Sequence, residues 1–396
     1  MLEAEGAREG ERREIDPAQE RELLDAVERW VEREVAPRVL EYDHADRYPH
    51  ELVEQMKELG LFGATIGAEY GGLGLPAATY ARIVMTISSV WMSITGIFNS
   101  HLILALAIER FGTERQKREW LPRLASGELR GGIALTEPDA GTDLQGIRTT
   151  ARRSGDDYVI NGTKTWISNG IEGSCFALLV KTDPQAQPRH RGISLFIAPK
   201  HAGLRVGRKL EKLGYKCIDS AELVFENYRL PASCLIGEQE GQGFYQTGNG
   251  LELGRINVAA RGVGIAEGAL TLATQYSQNR KTFGKPICDH QAIQLKLADM
   301  ATRARAARLL TLDAAQAFDR GERCDLEAGM AKLFASEAAL ENATESMRIH
   351  GAYGYSKEYH IERLYRDAPL TCIGEGTNEM QRIIIARRWL KRHPAA

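Results

Sequence analysis

The hydrophobic period of this 396-residue sequence changes twice, and these two changes limit the possible folds more than any other feature. From Asp16 to Leu124, apolar residues recur at helical spacing, and Asp16-Pro17 predicts the start of the first helix. From Gly131 onward, short alternating runs predict strands. From Phe244 the period is helical again. The predicted order is therefore helices, then strands, then helices.

Two local patterns refine this outline. Asn161-Gly162, between two predicted strands, is typical of a two-residue hairpin turn. Residues 289–320 and 325–350 predict two long helices with a short connection, which favours a helical bundle. We therefore expect a mixed α and β fold with an N-terminal α-helical domain over residues 1–130, a middle antiparallel β domain over 131–240 and a C-terminal helical bundle over 241–396.

Charge and composition argue against several classes of function. The net charge of -2, without a basic block, does not favour a nucleic-acid partner. No uninterrupted apolar run approaches the ~20 residues that cross a bilayer, so no membrane insertion is expected. The acidic N-terminus is typical of neither a secretory signal nor a transit peptide, which predicts a cytoplasmic location. The six cysteines are scattered without a Cys-x-x-Cys pair, which predicts reduced thiols and no metal site.

A single acid near the end of the chain, Glu375, lies between Gly374 and Gly376. The helical pattern that follows makes Thr377 or Asn378 the predicted N-cap. The glycines leave room for a ligand beside the acid, and an apolar pocket would raise the pKa of the carboxyl and strengthen it as a base. This segment therefore suggests a general base aimed at a weakly acidic C–H group. A loop glutamate at a helix N-terminus is an equal alternative.

Three other segments contain residue types that suit a flat ligand bearing phosphates. The turn-rich link 134–143 offers hydroxyls and backbone N–H groups, although turns favour the same residues. Trp166 could cover an aromatic cofactor, or it could be a core residue. In the segment 280–286, Arg280 could bind a pyrophosphate, or the basic residues could form a solvated face.

In their fixed order, these four segments resemble the acyl-CoA dehydrogenase family, including its short-chain and branched-chain members. The resemblance covers about residues 20 to 392. It implies a four-helix bundle as the C-terminal domain, FAD as the cofactor and Glu375 as the catalytic base. The positions implied to hold the flavin end of FAD are Ile133, Leu135, Thr136, Gly141, Thr142, Trp166, Ser168, Thr377 and Glu379.

Two further groups of residues follow from the same resemblance. The adenosine and pyrophosphate end of FAD is held, from a neighbouring subunit, by Arg280, Phe283, Gln291, Arg348 and Gly351. The positions implied to contact the acyl-CoA substrate are Trp91, Phe98, Thr142, Glu252, Arg255, Gly374 and Gly376. The implied assembly is a homotetramer built as a dimer of dimers, and an electron-transfer flavoprotein is the implied electron acceptor.

The reaction implied by the resemblance is α,β-dehydrogenation of an acyl-CoA thioester to the 2-enoyl-CoA. Glu375 would take the α proton while flavin N5 accepts hydride from the β carbon. In the family, the backbone N–H of the base and a ribityl hydroxyl of FAD donate to the thioester carbonyl, which stabilises the developing enolate.

Some positions depart from the family pattern. Gly374 stands where many members carry an aromatic residue, which predicts space for branched or cyclic acyl groups. Trp91 and Phe98 would close the acyl pocket, which predicts short chains. Gly254 stands where a minority of members place their base, which leaves Glu375 as the candidate. Arg348 stands where an amide side chain is common in the family.

Two alternatives remain open from the sequence. A flavin oxidase of the same fold would return electrons to oxygen and form peroxide without an added acceptor. A catalytically silent helical scaffold that binds CoA thioesters would be colourless and would not take up FAD.

Overall fold

The computed structural model describes residues 14–395, except the side chain of Asn249; the first part of the predicted N-terminal domain, residues 1–13, lies outside the described residues. Asp16 caps the first helix, as predicted, and accepts a hydrogen bond from Ala18 N at 2.7 Å. The helices of this region are α1 (Pro17–Trp30), α2 (Val39–Ala45), α3 (His50–Glu58), α4 (Ala77–Phe111) and α5 (Glu114–Ala125).

Helix α4 runs through the centre of the protein. With 35 residues it is, by length and composition, long and apolar enough to cross a membrane, although no uninterrupted apolar run in the sequence predicted this. Its most apolar part is entirely buried inside the protein, as in the core helix of a globular fold. At Trp91 the backbone leaves the helical region (φ -152°, ψ 96°), so α4 consists of two helices joined at a kink.

The middle region is one seven-stranded sheet. Its strands are β1 (Gly131–Ala134), β2 (Thr150–Ser154), β3 (Asp157–Ser168), β4 (Cys175–Lys181), β5 (Ile193–Pro199), β6 (Leu204–Lys209) and β7 (Ser220–Pro231). They follow the order β1-β4-β2-β3-β7-β6, with β5 on β4. Four of the pairs are antiparallel, as expected, whereas β4 runs parallel to β1 and β2.

The predicted hairpin turn at Asn161-Gly162 is wrong. Both residues lie inside β3, where the pairing with β7 shifts register between Ile160 and Gly162. Gly162 is needed there because an added Cβ would lie 2.4 Å from Oγ1 of Thr149. The true turn precedes β3, at Gly155, whose φ is 66°. The glycine thus marks an irregularity within a strand rather than a reversal of the chain.

The C-terminal region is helical apart from a two-stranded hairpin. Its elements are α6 (Gly243–Asn279), β8 (Lys281–Thr282), β9 (Lys285–Pro286), α7 (Gln291–Asp319), α8 (Asp325–His350), α9 (His360–Ile373) and α10 (Asn378–Arg392). The two long helices predicted from the period are confirmed as α7 and α8. Helices α6 to α9 pack together as the four-helix bundle, and α10 lies on α8.

Small side chains allow the helices to approach closely. An added Cβ at Gly262 of α6 would lie 2.6 Å from the backbone oxygen of Ala335 on α8. One hydrophobic core also joins the first helices to this bundle, since Trp91, Ile256 and Leu364 belong to the same cluster. The domain limits at residues 131 and 241 remain predictions.

Candidate active site

Glu375 lies in the connection between α9 and α10. Its φ of 54° is in the left-handed region, and Gly376 follows with a φ of 86°. Two successive left-handed residues turn the chain sharply, which directs the Glu375 side chain toward α6. A Cβ atom added to Gly254 of α6 would lie only 2.9 Å from Oε2 of Glu375. The carboxylate therefore lies against bare helix backbone. Of the two predicted N-caps, it is Thr377 that accepts from Met380 N, at 3.4 Å.

The surroundings of Glu375 suit a base. Burial raises the pKa of its carboxyl above the ordinary 4.5, while Arg261, Arg255 and Lys332 act in the opposite direction without cancelling this effect. Within residues 14–395, its one hydrogen bond is formed by its backbone oxygen, which accepts from Gln381 Nε2 at 3.4 Å. The carboxylate and the backbone N–H are thus both available to a substrate.

This raised pKa predicts how stability changes with pH. The folded protein holds the Glu375 proton more tightly than the unfolded chain does, so the resulting stabilisation is present below pH 4.5 and is lost as pH rises through the higher folded pKa. We expect the melting temperature of the wild type to fall relative to that of Glu375→Gln over this rise. Glu379→Gln alters a carboxyl whose pKa is lowered, so it should not reproduce this trend. If the melting temperatures of the wild type and of Glu375→Gln changed in parallel with pH, the prediction would be wrong.

Lys332 of α8 holds the connection on both sides of the acid. Its buried ammonium donates to the backbone oxygens of Cys372 at 3.2 Å and Gly376 at 2.9 Å, and to Oδ1 of Asn378 at 2.8 Å. Burial lowers the pKa of Lys332 to about 8. Sequence analysis missed this residue. The available signal was a lysine on a helix face of buried alanines.

Helix α9, which leads to Glu375, is anchored by Arg366. The guanidinium donates to Oδ2 of Asp43 and to Oε2 of Glu362, both at 2.6 Å. Asp43, His44 and Glu362 are close enough together to hold a metal ion. However, Arg366 already forms ion pairs with both carboxylates of this group. We therefore interpret it as an ion-pair network that fixes α9 to α2.

The flavin-side residues lie on β3 and on the link that follows β1. Thr165 N donates to the backbone oxygen of Thr136 at 2.9 Å, which joins the two segments. Trp166 lies at a register shift of β3, with a φ of 61°, and 58% of its surface is exposed. Its alternative interpretation as a core residue is therefore wrong. Ser168 ends β3 and is half-buried.

A buried ion pair supports this link. Lys164 Nζ lies 2.7 Å from Oε1 of Glu137 and donates to the backbone oxygen of Leu135 at 2.9 Å. Glu137 also accepts from the backbone N–H groups of Arg148 and Thr149. These contacts hold the 136–149 loop on β3. The sequence did not reveal the pair, because neither residue belongs to a charged cluster.

The exposed groups fit the flavin that the resemblance implies. The indole of Trp166 offers a flat apolar surface, and the hydroxyls of Thr136 and Thr142 are accessible on the neighbouring link. At Gly141, an added Cβ would meet nothing within 4 Å, so a ligand can approach the backbone. Half-buried Ile133 and Leu135 lie on β1 and directly after it.

The residues predicted for the adenosine end lie elsewhere in this chain. Arg348 is 16 residues beyond Lys332 along α8, which is about 24 Å at 1.5 Å per residue. Arg280 lies 6.0 Å from the ring centroid of Tyr353, near Gly351 at the end of α8. Phe283, at the tip of the β8–β9 hairpin, is 96% exposed with a φ of 50°. Gln291 is exposed at the start of α7, and Arg348 pairs with Glu345.

Of the residues predicted to contact the substrate, Glu252 and Arg255 lie on α6, Trp91 and Phe98 lie on α4, and Gly374 lies beside the base. Arg255 lies beside Gly254 on α6, and its Nε is buried without a partner. Glu252, one turn earlier, is buried near Sγ of Cys324 at 3.8 Å. Phe98 is fully buried against Tyr80, with ring centroids 6.2 Å apart. Trp91 is also fully buried but stacks on Tyr42 of α2, at 5.9 Å. At Gly374, an added Cβ would meet only the Leu370 oxygen, at 3.5 Å.

Comparisons with known proteins confirm the resemblance over almost the whole chain. Residues 17–128, 132–228 and 241–390 match the N-terminal, middle and C-terminal domains of acyl-CoA dehydrogenase. An acyl-CoA dehydrogenase of Bacillus subtilis is 42% identical over 363 residues, which cover 91% of this chain and 95% of the relative.

Solved structures agree with the sequence matches. Butyryl-CoA dehydrogenase of Megasphaera elsdenii superposes with a TM-score of 0.92 at 36% identity, covering 95% of this chain and 99% of that chain. A chain solved in work on the electron transferring flavoprotein of Acidaminococcus fermentans gives a TM-score of 0.92 at 39% identity, covering 96% and 99%. The Bacillus and Megasphaera relatives are named as acyl-CoA dehydrogenases, which are oxidoreductases, and this chain belongs to the acyl-CoA dehydrogenase family.

Proposed function

We propose that this protein is an FAD-dependent enzyme that converts a short or branched acyl-CoA to its 2-enoyl-CoA, with Glu375 as the base. The observation that carries the proposal is the position of Glu375. Its carboxylate, with a raised pKa, lies against the bare helix backbone at Gly254, and within residues 14–395 no side chain is hydrogen-bonded to it. A carboxylate of raised pKa in a dry site is well suited to remove a weakly acidic proton.

The protein groups around Glu375 would orient the substrate. The unpartnered backbone N–H of Glu375 would donate to the thioester carbonyl, which acidifies the α C–H bond as the proton moves to the carboxylate. Arg255 supplies positive charge beside the base. Thr136, Thr142 and Trp166 would hold the flavin, and bound FAD would supply the hydride acceptor for the β carbon.

The partners follow from the same assignment. A homotetramer is supported by the position of Arg348, which belongs to the predicted adenosine end of the FAD site but lies about 24 Å along α8 from Lys332 beside the base, so a second subunit would supply that end. Exposed apolar residues of the last helices, including Trp389 at 50% and Leu390 at 68%, suit such an interface. The similarity to the Acidaminococcus chain supports an electron-transfer flavoprotein as acceptor. A cytoplasmic location remains a prediction.

Anaerobic titration of the purified protein with straight, branched and cyclic acyl-CoAs tests the activity. We expect a yellow protein whose flavin absorbance bleaches on addition of a short acyl-CoA and recovers with an electron-transfer flavoprotein. Peroxide formation without an added acceptor would favour the oxidase alternative. A colourless protein that takes up no FAD would favour the silent scaffold.

Position 374 provides the test of acyl-group preference. A bulky side chain there would occupy the open space beside the base, so Gly374→Tyr should disfavour branched and cyclic thioesters relative to butyryl-CoA by about 10-fold or more, given the 1–3 kcal/mol that a misfitting methylene costs. The measurement is kcat/KM for each thioester. Gly374→Ala is the matched control and should change the ranking little. An unchanged ranking in Gly374→Tyr would contradict the preference.

A further inference from the structure

Arg261 is a buried cation on α6 with an incomplete set of partners. Only 5% of its surface is exposed. Nη1 donates to the hydroxyl of Tyr215 at 3.2 Å, and the guanidinium lies 5.6 Å from the centroid of that ring. Nε and Nη2 are buried and form no hydrogen bond. Neither donor is hydrogen-bonded to Glu375, although the charge of Arg261 lowers the pKa of that carboxyl.

The charge of Arg261 also lacks a close counter-ion. Within residues 14–395, no carboxylate lies within 4 Å of its guanidinium. Leaving donors of a buried charged group unsatisfied is costly, so the two remaining donors of Arg261 require a partner such as a bound ligand. A second unpaired polar atom lies on the same helix, since Oδ1 of Asn257, one turn before Arg261, is buried without a partner.

These groups lie within electrostatic reach of the base. Asn257 Nδ2 donates to the hydroxyl of Tyr80 at 2.7 Å, and that hydroxyl lies 3.4 Å from Oδ1 of Asn99 on α4. Burial raises the pKa of Tyr80, Arg261 lowers it and Glu375 raises it, so both charges act on one hydroxyl. The protein interior between Glu375 and Arg261 therefore contains polar groups.

The spacing along α6 sets the length of ligand that fits. Gly254, which faces Glu375, and Arg261 are seven residues apart, or two turns, and are separated by about 10 Å along the axis. Helical side chains lean toward the N-terminus, which brings the guanidinium closer to Gly254 than this figure. A short acyl chain activated at Glu375 would reach it.

We infer that Arg261 is a specificity-determining residue that binds a carboxylate at the far end of a short acyl chain. Nε and Nη2 are the adjacent donors that engage the two oxygens of a carboxylate in parallel, while Nη1 remains with Tyr215. The inference rests on the proposed function and narrows it to short ω-carboxyacyl-CoA thioesters. Gly374 leaves room at the reacting carbons, and Arg261 selects the opposite end.

Glutaryl-CoA and pentanoyl-CoA form a matched pair for the test, since their acyl chains have equal length and differ in the terminal carboxylate. Binding and anaerobic flavin bleaching are measured on the FAD-loaded protein. We expect the wild type to bind glutaryl-CoA at least about 10-fold more tightly. Arg261→Met should weaken glutaryl-CoA about 100-fold, as expected for truncating one partner of a buried charge pair, and pentanoyl-CoA less than about 3-fold.

The wild type alone already decides the question if the variant fails to fold. Equal or tighter binding of pentanoyl-CoA would overturn the inference, as would equal losses for both thioesters in Arg261→Met. Bleaching by pentanoyl-CoA with weak glutaryl-CoA binding would leave the proposed function intact and overturn this inference alone. If neither thioester bleaches the flavin, the proposed function fails, while the ratio of the two binding constants still tests Arg261.

Discussion

Replacing Glu375 with glutamine should abolish flavin reduction by acyl-CoA while leaving the yellow colour and thioester binding unchanged. The amide has nearly the same size as the carboxyl, so the space against Gly254 stays filled, but it cannot accept the α proton. General base catalysis is worth about 100- to 10,000-fold, so we expect the bleaching rate to fall by at least about 1000-fold. Stopped-flow absorbance under anaerobic conditions measures it.

The catalytic acid can also be relocated to the facing helix α6. Because Gly254 faces the carboxylate, Gly254→Glu combined with Glu375→Gly places an acid on the opposite wall of the same space. We expect the double variant to recover part of the activity that either Glu375 variant loses. Bleaching that survives in Glu375→Gln would show that another group removes the proton. Glu58→Gln, at an exposed carboxylate of α3, should bleach at the wild-type rate.

Lys332→Met is expected to produce the second largest loss, about 100-fold in kcat, although the lysine does not contact the substrate. Removing the ammonium takes this donor from the Cys372 oxygen, leaves the Gly376 oxygen with only Gln381 Nε2 at 3.2 Å, and frees the connection that aims Glu375. A displacement of about 1 Å in catalytic geometry can cost 100-fold in rate. Each unsatisfied buried group costs about 1–3 kcal/mol, so the melting temperature should fall as well.

Two controls separate these effects. Lys117→Met removes a lysine that pairs only with Glu114 on the surface of α5, and it should change neither quantity. Ser336→Ala removes a weaker contact to Asn378, at 3.1 Å, and should give a smaller loss. A Lys332→Met protein with wild-type kcat would show that the connection keeps its shape without the lysine.

The order of helices and strands could be predicted because the residues that specify each element are close together in the sequence. The long helices α7 and α8 have apolar residues at helical spacing, and Asp16-Pro17 forms its own cap. The prediction of a hairpin turn at Asn161-Gly162 was wrong because the sequence alone does not distinguish a glycine required by the close approach of Thr149 from a glycine required by a turn. The distinction depends on a neighbouring strand, which the local pattern does not contain.

The candidate site was predictable only in part, for a similar reason. Glu375 stood out because two glycines flank it. The buried charges that support the site depend on partners distant in sequence: Lys332 lies 44 residues from Gly376, and Arg366 lies 323 residues from Asp43. Nothing near Arg261 in the sequence marks it as buried or as lacking a counter-ion. Such residues become visible only when the helices are packed.

The left-handed backbone at Glu375 has a consequence for the evolution of the protein. A non-glycine residue pays about 1–2 kcal/mol for this conformation, which glycine would adopt freely. Burial of the ionised side chain adds to that penalty. Selection for thermal robustness alone would therefore remove the acid, so robustness and turnover compete at this one position. Lineages that have given up the reaction are expected to carry glycine or asparagine there.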